Sequence, residues 1–519
     1  MRVLLLTSIL YTVQCYVSGA QVRVDPLVLI DQGLVRGQKA LDGDYSSFLG
    51  IPYAQVDAAN PFGPSLPAPK FDNIFNASNG DIACPQPSAG SQSLDCLRLN
   101  IFVPSKASVN HPLPVFIYIH GGGFRDGYAS KDSPTGHNLV AQDIIVVSIN
   151  YRLGPYGFLC LDIPEVPGNQ GLKDQYTALQ WVKKNIVHFG GNANDVTIAG
   201  ESAGAAAVVY QLYADNEKLF NKVIVQSGAP QSPGLLADGD TAAALKLARH
   251  LGYVTDDNKK ALEFLANTSS DLVIGAMDAT GFNVLPCFEK EFEGVESFIP
   301  AKPFALTAQK KVKNTPVLIG TTSCETCGFF SPDPLYIENN LKAFKLSEEE
   351  LREATEVVKH FYLGDDPVSE ATALSLDLFN SDFGFVNPTE LAVKQLLSEE
   401  AGPIYQYVFS FVSERDGDTA GATHASELKY VFADGYDSFT DDEKTVSDHF
   451  TYLWSNFIKY GNPTPELSER VPFTWQPVTS QTRPYVDIDV AATARARFRG
   501  TAMAFWELFY KRFGLQAVL

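Results

Sequence analysis

Short apolar runs that alternate with helical patterns constrain this chain more than any other feature. Val115–Ile119 reads VFIYI and Ile144–Ile149 reads IIVVSI, leaving almost no side for water. Comparable runs recur at Val196–Ala199, Val223–Val225, Val317–Ile319 and Tyr405–Phe411. Between them, Asp174–Val187 sets Leu179, Val182 and Ile186 at helical spacing on one face. A strand apolar on both sides has to be covered on both faces, which implies a parallel sheet between helices. The expected fold is therefore α/β, a mostly parallel central sheet with helices on both faces and helical insertions. No Pro/Gly/Ser-rich linker or internal repeat divides the chain, so residues 21–519 are expected to form one domain. The acidic stretch Ser347–Glu356 reads as the solvated face of a helix.

The net charge of −20 makes phosphate backbones and anionic lipid poor partners, and neither nucleic acid nor a membrane anchor is expected. A basic start at Arg2, an apolar run from Val3 to Val13 and small residues at Ser18–Ala20 read as a signal peptide over 1–20. The run is too short to span a bilayer, so secretion is the expected route. Six cysteines lie beyond the leader: Cys84, Cys96, Cys160, Cys287, Cys324 and Cys327. That number fits a large secreted protein with one or two bridges. Asn76-Ala77-Ser78 and Asn267-Thr268-Ser269 are glycosylation sequons and suit the same route.

Gly200-Glu201-Ser202-Ala203-Gly204 matches G-x-S-x-G, directly after one strand run and before the Ala-rich helical run Ala203–Tyr213. A nucleophile elbow needs glycines where the chain turns sharply from strand to helix, which lifts the Ser hydroxyl above the sheet. A second glycine cluster, His120-Gly121-Gly122-Gly123-Phe124, also follows a strand. Bare N–H groups there can receive the negative oxygen of a tetrahedral intermediate.

A serine nucleophile needs a base and an acid, in the order Ser, acid, His. His360 and His449 sit in helix patterns, and His250 leaves little chain for an acid after Ser202. His424 lies in the small-residue loop Gly421–Ala425 after a strand. Glu325 stands just past Val317–Ile319, at the sheet edge where such sites form, with Asp377 and Asp382 as rivals.

These residues resemble the type-B carboxylesterase/cholinesterase family of α/β-hydrolases, most like its secreted insect esterases. The blocks include Phe48–Ala54, Asp95–Asn100, HGGGF at 120–124, Asn150–Gly154, Gly171–Gln175, GESAG at 200–204, Gln226–Gly228, His424 with Glu427, and Gly461–Pro463. The resemblance implies a triad of Ser202, Glu325 and His424, with oxyanion amides from Gly122, Gly123 and Ala203. It also implies a Cys84–Cys96 disulfide and a buried Arg152–Asp174 ion pair. Three positions depart from the family. Thr326 replaces the Gly after the acid. Tyr253 stands where the second family disulfide begins. Leu94 replaces a Glu whose Arg partner is also missing. For Cys324 and Cys327 two readings stand, a short bridge bracing the acid loop or free thiols, with a two-cysteine zinc site less favoured.

Several functions compete on this basis. A non-catalytic adhesion relative would lack a triad member. A cholinesterase would need an aromatic between Cys84 and Cys96, and a lipase would need a longer loop there. The expected activity is secreted hydrolysis of small to medium hydrophobic esters (xenobiotic, odorant, pheromone or hormone-like) through an acyl-serine intermediate. A juvenile-hormone specialist is the alternative, although such enzymes usually read G-Q-S-A-G. That mechanism calls for no metal or organic cofactor, and activity should rise with pH as His424 deprotonates, around pH 6 to 7.

Overall fold

The computed structural model describes residues 26–87, 92–130, 136–300, 309–329, 333–417 and 419–515. The expected leader at 1–20 lies outside them. Among the described residues an eleven-stranded sheet forms the centre. From one edge its strands are Gln38–Lys39, Tyr45–Pro52, Arg98–Pro104, Ile145–Ile149, Leu113–Ile119, Gly191–Glu201, Lys222–Gln226, Val317–Thr322, Ile404–Phe409, Pro484–Ile488 and Thr493–Ala496. The seven from Ile145–Ile149 to Pro484–Ile488 run parallel, and antiparallel strands complete both edges.

The strand Leu113–Ile119 shows why these runs are apolar on both sides. Val115, Ile117 and Ile119 join one buried cluster, and the intervening Phe116 and Tyr118 join another on the opposite face. Helices Gln170–Asn185 and Ala203–Tyr213 cover the first face, burying Leu179, Val182 and Val208. Helix Asp441–Tyr460 covers the second with Phe450, Leu453, Trp454 and Phe457. Thr440 starts that helix with a capping box to Glu443.

The helical insertions carry small cores of their own. Ala243–His250, Asn258–Ala266 and Ser270–Thr280 pack around Leu247, Leu265 and Met277. Glu348–Leu363, Ala373–Ser381 and Gly500–Arg512 pack around Val358, Phe379 and Trp506. The acidic stretch at Ser347 is the capped, exposed start of the first of these. A π turn, Asp382–Val386, joins Ala373–Ser381 to Asn387–Ser398.

Three disulfides form among the described residues, more than the one or two expected. Cys84–Cys96 has its sulfurs 2.01 Å apart, Cys160–Cys287 2.08 Å, and Cys324–Cys327 also bridges. Tyr253 takes no part, and Cys160–Cys287 supplies a long-range link elsewhere. Arg152 and Asp174 are both wholly buried and meet in two parallel hydrogen bonds of 2.7 and 2.8 Å. The remaining Arg152 donor reaches the carbonyls of Pro61 and Gly63, so the buried charge is fully paired. Leu94 packs against the core of the first helical insertion.

Candidate active site

Parallel strands of one sheet end on a common edge, so residues distant in sequence can converge there. Leu113–Ile119 runs into the HGGGF loop, Gly191–Glu201 into Ser202, Val317–Thr322 into Glu325, and Ile404–Phe409 toward the loop holding His424.

Ser202 occupies the elbow with φ 56° and ψ −123°, a conformation L-residues rarely adopt. Holding it costs on the order of 1–3 kcal/mol, which the surrounding packing must offset. Its N–H donates to Gln226 O at 2.8 Å, fixing the elbow to the neighbouring strand. Helix Ala203–Tyr213 then passes so near the glycine loop that a Cβ on Gly204 would meet Ile119 O at 2.1 Å. Only glycine fits there.

Gly122 and Gly123 take positive φ, 100° and 61°. A Cβ on Gly121 would lie 3.1 Å from Ser202 Cβ, so this loop lies against the elbow. Among the described residues the N–H groups of Gly122, Gly123 and Ala203 donate to no backbone carbonyl. Tyr151 donates its hydroxyl to His120 O at 2.8 Å and stacks on the His120 ring, bracing the loop from behind.

His424 Nδ1 lies 2.6 Å from Glu325 Oε2. Glu325 is wholly buried, and its other oxygen accepts the Thr322 N–H at 2.8 Å. The His424 side chain is one-quarter exposed. Its Nε2 lies 3.1 Å from Glu201 Oε1, within ion-pair range but misaligned for a hydrogen bond. The rival acids stand apart. Asp377 accepts the Gly328 N–H, and Asp382 pairs with Arg499 and Tyr362. His360 and His449 instead face the backbone carbonyls of Glu356 and Asp489.

Two further groups surround His424 that sequence reading did not assign to the site. Glu427, wholly buried, accepts from Gln226 Nε2 at 3.1 Å. Phe385, on the π turn, sets its ring 4.7 Å from the imidazole. No local pattern marks Phe385, which stands 39 positions before His424 in the chain.

Burial pulls the His424 imidazole down. The hydrogen bond and charge of Glu325, then the charges of Glu201 and Glu427, outweigh it and lift the group to about 9. The expected titration at 6 to 7 is corrected upward, because three carboxylates face one imidazole. Burial also pushes Glu201 and Glu427 well above the usual carboxylate range, each aided by the charge of Glu325. His120, buried and away from any carboxylate partner, falls to about 4 and stays neutral.

Comparison with known proteins identifies the family. Residues 24–506 match the Carboxylesterase family. The chain is 32% identical to Esterase FE4 of Myzus persicae over 83% of each protein. It is 30% identical to the Juvenile hormone esterase of Heliothis virescens, covering 84% of this chain and 86% of that one. It is 29% identical to the Pyrethroid hydrolase Ces2e of Rattus norvegicus, covering 95% and 91%. The chain belongs to the carboxylesterase family and is a carboxylic-ester hydrolase with an α/β-hydrolase fold.

Proposed function

We propose that this chain is a secreted serine carboxylesterase working through an acyl-serine intermediate. Ser202 attacks the ester carbonyl while His424 takes its proton. Glu325 holds the imidazole tautomer and stabilises its positive charge. The amides of Gly122, Gly123 and Ala203 receive the oxyanion, the alcohol leaves with the proton from His424, and water releases the acid. The observation that carries this reading is the 2.6 Å contact between His424 Nδ1 and buried Glu325, at the same sheet edge as the strained Ser202.

The proposed enzyme is one domain over 21–519, released from a leader at 1–20 and glycosylated at Asn76 and Asn267, both exposed. No helix among the described residues is long and apolar enough to cross a membrane. Its substrates are small to medium hydrophobic esters. A half-buried Phe385 beside the base and a partly exposed Ser202 suit an apolar acyl or alcohol group. A hormone-ester specialist is the second reading, favoured by the likeness to the Heliothis virescens enzyme.

Labelling with an organophosphate followed by peptide mapping tests the assignment, together with Ser202→Ala and His424→Ala. Label on Ser202 and losses on the order of 10⁴–10⁶ in kcat are expected. Label on Ser227, or normal turnover in Ser202→Ala, would overturn it. A panel of aliphatic, aromatic and hormone-like esters then separates the two substrate readings.

A further inference from the structure

The three disulfides span very different lengths of chain: 127 residues for Cys160–Cys287, 12 for Cys84–Cys96 and 3 for Cys324–Cys327. A cross-link restrains the unfolded chain less as the loop it closes shortens. The third bridge therefore adds least to global stability, and its location needs another reason. It encloses Glu325. Cys324 and Cys327 are the ends of a four-residue turn, closed by a 3.2 Å hydrogen bond from Cys327 N–H to Cys324 O, with Glu325 in second place.

The remaining ties on this turn are hydrogen bonds, including the one the Glu325 carboxylate accepts from Thr322 N–H at 2.8 Å. His424 N–H donates to Glu325 O at 3.0 Å, and Cys324 N–H donates to Ala422 O at 3.0 Å. Thr326, standing where the resembling family carries glycine, donates its N–H to Ser381 Oγ at 3.1 Å and its hydroxyl to Asp377 O at 2.7 Å. Each such bond contributes modestly to net stability, whereas the S–S link is covalent. Both sulfurs are buried, the cysteines being 1% and 5% exposed. The contact with the base's loop is tight as well. A Cβ on Gly421 would lie 3.0 Å from Cys324 Cβ, so a shift of Cys324 is transmitted to the loop carrying His424.

We propose that the Cys324–Cys327 disulfide is a positioning device for the triad acid, holding the Glu325 carboxylate against His424 Nδ1. The proposal rests on the reading of Glu325 as that acid. Neither cysteine touches substrate, and both act through the turn. With the bridge absent the turn has no covalent tie, only hydrogen bonds such as that from Thr322 N–H to the carboxylate, and the carboxylate samples positions away from the imidazole. An ångström of misplacement at such a pair costs about 10²-fold in rate.

The test is the double variant Cys324→Ala/Cys327→Ala, measured for kcat, KM, melting temperature and the pH dependence of kcat/KM. The expected result is a kcat lower by about 10²-fold with KM within about twofold, and a small change in melting temperature. The acidic limb should also move to lower pH, since the imidazole loses a fixed carboxylate while Glu201 and Glu427 remain. A purely structural bridge would lower the melting temperature and leave kcat and the limb in place, which overturns the proposal. Glu325→Gln in the same assay separates the two levels. Full turnover in Glu325→Gln removes the reading of Glu325 on which the proposal stands. Lost turnover there with a normal double variant removes only the role of the bridge. If the double variant does not fold, a dithiol can be applied to the folded native enzyme. The reagent delivers two electrons and two protons to the S–S bond and leaves as its cyclic disulfide. Peptide mass spectrometry identifies the opened bridge, and undiminished turnover with Cys324–Cys327 open overturns the proposal.

Discussion

Removing the Cys160–Cys287 bridge should destabilise the enzyme far more than it slows it. The bridge joins positions 127 apart, and the chain-entropy relation gives about 5 kcal/mol for closing a loop of that length. The same relation gives about 3 kcal/mol for Cys84–Cys96 and about 2 kcal/mol for Cys324–Cys327. In the folded state Cys287 is independently anchored. Its N–H donates to Asn169 Oδ1 at 2.9 Å, and its carbonyl accepts from Asn169 Nδ2 at 2.8 Å. Breaking the bridge therefore leaves native geometry nearly in place, and the loss arises from the freedom regained by the unfolded chain. With an unfolding entropy of about 2.1 cal/mol/K per residue, a chain of 519 residues should melt about 5 °C lower. The assay is tryptophan fluorescence melting of Cys160→Ala/Cys287→Ala against the native enzyme at one scan rate, with kcat/KM measured in parallel. Neither cysteine bonds to Ser202, Glu325 or His424 among the described residues, so kcat/KM should hold within about twofold. A shift under about 1 °C would refute the loop-closure reasoning. A large fall in kcat would refute the separation of stability from catalysis.

Three other outcomes are expected. Glu201→Gln should move the acidic limb of kcat/KM to lower pH, because it removes one of the charges that lift His424 to about 9. The base must be unprotonated to act, so wild-type activity rises through that value as pH increases and the variant's rise begins earlier; an unmoved limb counts against the Glu201 contact. Asp174→Asn should cost about 3–5 kcal/mol in chemical denaturation, because it leaves the wholly buried Arg152 charge uncompensated, and a loss under about 1 kcal/mol would contradict that. Enzymatic removal of N-glycans should increase the gel mobility of protein secreted from a eukaryotic host, and Asn76→Gln/Asn267→Gln should abolish the increase; unchanged mobility of the wild-type protein would contradict the glycosylation reading.

What could be read from the sequence is what local chemistry enforces. The strand VFIYI is buried on both faces, and no polar residue alternates in it. The elbow is legible for a similar reason. Gly204 must let a helix approach a backbone carbonyl, and that steric demand leaves its mark within five residues. The acidic stretch from Ser347 is likewise a solvated helix face, and its first four residues, Ser347 to Glu350, form the capping box that starts the helix.

Tertiary structure decided whatever depends on partners far along the chain. Glu325 and His424 lie 99 positions apart, and only the folded chain's side-chain contacts show that Asp377 and Asp382 face other partners. Cysteine pairing across 127 residues has no local signature, so three bridges form where the residue count suggested one or two. The titration of His424 moved furthest from expectation. An imidazole's intrinsic affinity for protons is a property of the residue, but its shift depends on burial and on the distances to Glu325, Glu201 and Glu427. The chain sets those distances only once it has folded.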